Sequence, residues 1–174
     1  AHVSLLIGED RQKLSKRHGA TSVIQYREQG YLPEALANYL CLLGWSHPEE
    51  KDVFSMEEAQ EFFDLNRFNK APALYDLKKL DWINGQQMRT MNIEALNHFI
   101  EKGSNFNFFN NETEQWKNEF LSLHLEKVQT IDELKEFYKK IYFKEIKLGE
   151  DEKDVFSWES TPIILSYLKE ELLS

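Results

Sequence analysis

Apolar positions along this chain recur at more than one spacing, and the changes of spacing mark its elements. "VSLLI" (residues 3–7) is a short unbroken apolar run that reads as a buried strand, followed by a polar loop over residues 8–19. From Ser22 the spacing turns helical, with Val23, Tyr26 and Arg27 in step up to Gly30. Pro33 suits the first position of the next helix, where its missing N–H would have no partner anyway. That helix, residues 33–43, predicts Leu36, Tyr39, Leu40 and Leu43 on one inward face and a stop at Gly44. Ser55-Met56-Glu57-Glu58 spells a capping box for a helix carrying Ala59, Phe62 and Phe63. Leu74, Leu77, Leu80 and Trp82 or Ile83 predict another helix, ending near Gly85. Asn92 caps residues 93–102, and "GSNFNFFNNET" (103–113) is the most linker-like stretch. A helix over 114–125 follows. Thr130-Ile131-Asp132-Glu133 is a second capping box, turning Ile131, Leu134, Phe137, Tyr138 and Ile141 inward. "KLGEDEKD" (147–154) reads as a charged loop, and Thr161-Pro162 opens a last helix. The sum is a mainly α chain without internal repeats: a mixed region over residues 1–90, then an all-helical region over 91–174.

Composition narrows the class. With 41% hydrophobic residues in 174, there is apolar material for one ordinary domain or two small ones, and too much for a disordered chain. The single cysteine, Cys41, forbids an internal disulfide or a multi-cysteine zinc site and suits a reducing compartment. No stretch approaches the roughly 18 apolar residues of a membrane helix. The N-terminus lacks the basic-then-apolar pattern of a secretory signal. Opening on a strand with no initiator Met, the chain is expected to be a fragment whose missing part supplied neighbouring strands. Net charge is −9, which argues against a general nucleic-acid binder but leaves room for a local basic patch.

Such a patch stands near the start. "RQKLSKRHGA" places Arg11, Lys13, Lys16, Arg17 and His18 within eight residues. Two lysines flanking Ser15 in a loop suit a polyphosphate: the ammonium groups neutralise charge that grows as pyrophosphate leaves, and backbone N–H groups add hydrogen bonds. Lysine, a point charge on a flexible stem, can follow a moving group. Taken alone, the pentapeptide reads as a solvated basic turn.

Context decides. "LLIGEDRQKLSKRHGATSVIQYREQGYLPEALANYLCLLGWS", then "FDLNRFNKAPALYDLKKLDWINGQQMR", resembles the bacterial and organellar glutamyl-tRNA synthetases from residue 3 to about residue 89. Their class I "KMSKS" loop reads as lysine, an apolar residue, Ser-Lys-Arg, then often His-Gly-Ala. The resemblance implies that Lys16 contacts the ATP phosphates with Lys13 and Ser15 as partners, that Leu14 takes the Met position, and that Arg17 takes that of the final Ser. It implies a fold made of the end of a class I Rossmann catalytic domain and a helical stem-contact region, both within residues 1–90. The first part of an all-α anticodon-binding bundle follows over residues 91–174. It also implies ATP with Mg²⁺ as cofactor, glutamate and tRNA(Glu) as partners, no membrane, a monomer, and a bacterial cytoplasm, an organelle being the alternative. The family's His-Ile-Gly-His signature does not occur in this chain, so the segment is expected to be inactive alone.

For RNA contact, Arg67, Lys70, Lys78, Lys79 and Arg89 put positive charge around the implied stem-contact helix. The family places an arginine before its "T-x-x-E-L" helix against the third anticodon base, and Lys127 stands at the matching position. Lysine lacks arginine's planar fork. Trp82 and Trp45 read as core rather than as base-stacking platforms, and the aromatic run "FNFFN" as packing beneath a loop. His2, His18, His47, His98 and His124 show no metal-ligand spacing, so no metal site is assigned. Two alternatives stay open: a non-catalytic helical adaptor for a protein partner and, within the family, a non-discriminating or tRNA(Gln)-specific paralogue.

Overall fold

The computed structural model describes residues 5–8, 10–15, 22–103, 112–142 and 149–173. The elements run β1 (Leu6–Ile7), α1 (Val23–Glu28), α2 (Pro33–Leu42), α3 (Met56–Phe62), a 3₁₀ turn (Leu65–Arg67), β2 (Ala73–Leu74) and α4 (Leu77–Thr90). Then come α5 (Ile93–Lys102), α6 (Glu114–His124), a second 3₁₀ turn (Leu125–Lys127), α7 (Ile131–Tyr142), α8 (Glu150–Ser157) and α9 (Thr161–Leu173). The chain divides into two compact units, Ala1–Tyr138 and Lys139–Ser174, with the division inside α7.

The helix starts follow their caps. Ser22 and Gln25 exchange a reciprocal box at α1, Pro33 opens α2, and Asn92 accepts from the Glu94 N–H at 2.8 Å. Ser55 accepts from the Glu58 N–H at 3.1 Å. Thr130 caps α7 through the Glu133 N–H, but the Glu133 carboxylate reaches one residue further back than a standard box, to the Gln129 N–H at 2.6 Å.

In the first unit one buried cluster runs from Tyr26 to Leu134, built on Leu32, Tyr39, Leu80, Ile83, Met88, Leu96, Ile100, Leu121 and Ile131. It takes residues from both sides of position 90. A smaller cluster of Trp45, Phe54 and Ala59 lies under α3, with the buried His47 ring stacked on Phe54. Gly30 has a φ of +82°, and a Cβ there would sit 2.8 Å from Ile131 Cβ, so the α1–α2 turn can lie against the start of α7 only as glycine. Its carbonyl accepts from the Ile131 N–H. In the second unit, α8 and α9 are joined by a short turn in which the Trp158 N–H donates to Val155 O and the Thr161 N–H to Trp158 O.

Five expectations change. Leu74 is not helical: it lies in β2, which pairs in parallel with β1 (Leu6 with Ala73, Ile7 with Leu74), so the first strand finds a partner within this chain. Helix α4 does not stop at Gly85 but runs to Thr90; the glycine is buried mid-helix because the Gln129 and Arg89 side chains converge on it. Ile83 takes the inward position, and Trp82, one residue off the stripe, is 42% exposed, whereas Trp45 is buried as expected. Leu40 likewise faces outward. The charged run expected as a loop over 147–154 enters α8 at Glu150. The "FNFFN" run and Ile141's side chain lie outside what is described.

Candidate phosphate loop and RNA-facing surface

The loop leaves β1 through a tight turn. Gly8 is buried, its N–H donates to Gln12 O, the Arg11 N–H donates to Gly8 O, and Arg11 takes a left-handed φ of 58°. Asp10 caps the turn by accepting from the Gln12 N–H at 2.9 Å. The chain then returns antiparallel: Lys13 bridges Ile7, and the Leu14 N–H donates to Leu6 O at 2.9 Å. On an extended return successive side chains alternate. Leu14 therefore packs on the main core while Lys13 and Ser15 stand exposed on either side of it. That alternation gives a physical reason for an apolar residue in the middle of Lys-Leu-Ser. Lys16, Arg17 and His18 lie outside the described residues.

Tyr75 holds the base of this loop. Its N–H donates to Ile7 O at 2.8 Å on the entry side, and its phenol shares a 2.5 Å hydrogen bond with Tyr26 in α1, the first helix after the loop. The next N–H, that of Asp76, donates to Tyr39 Oη at 2.7 Å. Burial pushes the Tyr75 phenol far up and that of Tyr39 up to about 12, so both stay protonated and able to donate. Sequence reasoning missed Tyr75 because its role is carried by a backbone N–H and a long-range hydroxyl pair, neither of which has a local pattern.

The basic candidates fall in different environments. Arg67 turns inward on its stem, donating to Ser46 O at 2.9 Å and His47 O at 3.2 Å, which ties the 3₁₀ turn to the loop after α2. Lys79 pairs with Asp52 at 2.7 Å, a half-exposed bridge worth at most about 1 kcal/mol. Lys70, Lys78 and Lys127 are exposed and make no ion pair among the described residues. Arg89 is largely buried: one of its nitrogens donates to both Glu126 O and Val128 O, and another faces the Glu126 carboxylate at 3.2 Å. The structure thus brings Arg89 and Lys127 together at the C-terminal end of α4. Lys78 and Lys79 lie at the other end, about 16 Å along the helix axis. The six cations do not form one patch.

A residue that sequence reasoning passed over completes the Lys127 end. Asn84, fully buried, accepts from the Leu32 N–H at 2.8 Å and donates to Gln129 O at 2.6 Å. An asparagine in step with Leu80, Ile83 and Met88, beside a mid-helix glycine, was the available signal. His124, beneath this turn, is sandwiched between Phe120 and Phe137 at ring distances of 4.6 and 5.4 Å. Burial first, and the Lys127 charge second, hold its pKa below the ordinary histidine value. Among the described residues no three His, Cys, Asp or Glu side chains converge to hold a metal, and no helix is long and apolar enough to cross a membrane.

Comparison with known proteins finds relatives of this chain. Residues 1–82 match the profile of the class I tRNA synthetases (E and Q), catalytic domain. A glutamate–tRNA ligase of Carboxydothermus hydrogenoformans is 42% identical over 180 residues, covering 99% of this chain and 37% of that ligase. Residues 1–82 belong to the class I glutamyl/glutaminyl-type tRNA synthetases. Over 90 residues, half of the chain, identity to the glutamate–tRNA ligase of Aquifex aeolicus rises to 59%. The solved glutamate tRNA ligase of Elizabethkingia meningosepticum, in complex with its amino acid, superposes on 100% of this chain and 38% of its own, with a TM-score of 0.82 at 28% identity. The ligase from Elizabethkingia anophelis covers 87% of the chain with a TM-score of 0.72. The chain spans a little over a third of the length of these relatives.

Proposed function

We propose that the chain is the part of a glutamate–tRNA ligase that carries the ATP-phosphate loop and the first RNA-facing helices. In the intact enzyme the glutamate carboxylate attacks the α-phosphorus of ATP, pyrophosphate leaves, and the acyl group passes from the adenylate to the terminal adenosine of tRNA(Glu). Lys16, with Lys13 and Ser15, stabilises the departing pyrophosphate. The observation that carries this reading is the antiparallel return over Lys13, Leu14 and Ser15, in which an anchored leucine leaves the lysine and the serine outward beside the end of a strand. Family membership supports it, and the relatives named for glutamate favour tRNA(Glu) within a profile that covers both E and Q enzymes.

On this reading residues 1–90 complete the catalytic region and 91–174 begin the anticodon-binding region. Lys70, Lys78 and Lys127 meet RNA directly, Arg67 and Lys79 stand beside its track, and ATP brings its own Mg²⁺. The described residues offer no cluster to hold that ion. We place the intact ligase, as a monomer, in the bacterial cytoplasm, in keeping with the bacterial sources of its relatives. The test is Lys16→Ala in the full-length enzyme. Glutamate-dependent pyrophosphate exchange should fall by about 10²–10³ with little change in glutamate affinity, as expected of a donor aimed at transition-state charge. An unchanged exchange rate would remove Lys16 from the mechanism.

A further inference from the structure

We infer that Arg89 is a positioning residue that fixes the turn presenting Lys127 to RNA, and not itself an RNA contact. The inference rests on the RNA reading given above. One Arg89 nitrogen donates to Glu126 O at 3.2 Å and to Val128 O at 3.3 Å, so the bonds hold the residues on either side of Lys127. The guanidinium Nε faces the Glu126 carboxylate at 3.2 Å, and Asn84 holds the following carbonyl, that of Gln129, at 2.6 Å. Three successive points of the 126–129 backbone are thereby fastened to α4. The Arg89 side chain is 15% exposed, its Nη2 is committed to two backbone carbonyls, and its Nε and Nη1 are buried, leaving it badly placed to reach a phosphate. Lys127, by contrast, is exposed, and a lysine on a fixed backbone sweeps a much smaller volume than one on a free turn. Gly85 belongs to the same device: a Cβ there would lie 1.8 Å from Gln129 Oε1 and 2.6 Å from Arg89 Nη1, so the glycine leaves room for both heads.

Two measurements on this 174-residue chain test the inference, with Arg89→Lys, Gly85→Ala, Lys127→Ala and the Arg89→Lys/Lys127→Ala double variant. The first needs no RNA. Amide hydrogen exchange over residues 126–129 should quicken at least about tenfold in Arg89→Lys, which keeps the charge but loses the fork. It should quicken also in Gly85→Ala and stay unchanged in Lys127→Ala, with α2 and α5 unaffected throughout. The second is titration with transcribed tRNA(Glu) at several salt concentrations. Lys127→Ala should weaken binding about fivefold and lower the salt slope by about one. Arg89→Lys should do the same, and the double variant should be no weaker than either single one. Unchanged exchange at 126–129 in Arg89→Lys and Gly85→Ala would overturn the clamp while leaving the RNA reading intact. Additive losses in the double variant would make Arg89 a separate contact and overturn its positioning role. If the wild-type chain binds no tRNA even at low salt, the RNA reading falls and the presentation of Lys127 falls with it, while the exchange result still reports on the clamp.

Discussion

Replacing Asn84 by alanine removes one side chain that joins three segments. In the structure its carbonyl accepts from the Leu32 N–H at 2.8 Å, at the entry to α2, and its amide donates to Gln129 O at 2.6 Å. Leu32 is 1% exposed, so its freed N–H cannot turn to water and carries the full penalty of a buried unsatisfied donor, about 2–3 kcal/mol. Gln129 lies half-buried, and its carbonyl falls at the low end, about 1 kcal/mol. The expected loss is therefore about 3–4 kcal/mol, a large part of the stability of a domain this size. For 150–250 residues that corresponds to a fall in melting temperature of roughly 6–16 °C. Urea titration of wild type and variant, followed by tryptophan fluorescence, measures it. Asn84→Asp sharpens the result, because the carboxylate still accepts from Leu32 but can no longer donate to Gln129 O. Its cost should grow as pH rises and the carboxyl ionises. A loss below about 1 kcal/mol in Asn84→Ala would refute the reasoning, since it would mean that neither backbone group depends on this side chain.

Three further outcomes are expected. Tyr75→Phe, by deleting the buried hydroxyl pair with Tyr26, should cost about 1–2 kcal/mol in urea unfolding while the β1–β2 amides keep their exchange protection. Gly30→Ala combines a left-handed φ with a Cβ 2.8 Å from Ile131 and 3.0 Å from a backbone nitrogen, and should destabilise by about 2–5 kcal/mol; a neutral result would mean that the α1–α2 turn moves freely. His124 is held below its ordinary pKa, so the unfolded chain takes up that proton first. Stability should thus fall as pH drops below about 6.5, the fall ending once the folded imidazole is also protonated. His124→Asn should lose that part of the pH dependence, and an identical profile in the variant would show that the ring titrates normally.

What the sequence announces well is local. Caps at Ser55, Asn92 and Thr130 and the proline at position 33 act within one turn of themselves, so they place helix starts without knowledge of the rest. The helix ends were harder. Gly85 carries the usual stop signal, yet here the residue serves a contact with Gln129, 44 positions away, and nothing near it in the chain reveals that. Leu74 was counted into a helix because it stands three residues before Leu77; its pairing with Ile7 is decided by a strand far upstream. For the candidate site, the Lys-Leu-Ser return was legible because its alternation is local. The fates of the basic residues were not. A lysine or arginine on a helix has the same pattern whether it meets solvent, as Lys78 does, or two carbonyls of another segment, as Arg89 does.

Helix α4 links the loop after β1 to the Lys127 turn. At its start the cap residue Asp76 directly follows Tyr75, which holds the base of the Lys13–Ser15 loop through Ile7 and Tyr26. Along its second half Asn84 and Arg89 hold the turn that carries Lys127. From Asp76 to Arg89 the helix sets these anchorages a fixed length of about 20 Å apart. The buried stripe of Leu80, Ile83 and Met88 fixes the rotation of the rod between them. A helix in that role has to run unbroken through position 85 and must still let a neighbouring segment come close there. Glycine satisfies the second demand at a cost of about 1 kcal/mol in helix propensity. Flanking Gly85 with Asn84 and, one turn on, Arg89 turns that weak point into the place where the neighbouring segment is tied down. The result is mechanical: the loop base and the Lys127 turn are held by one rigid element.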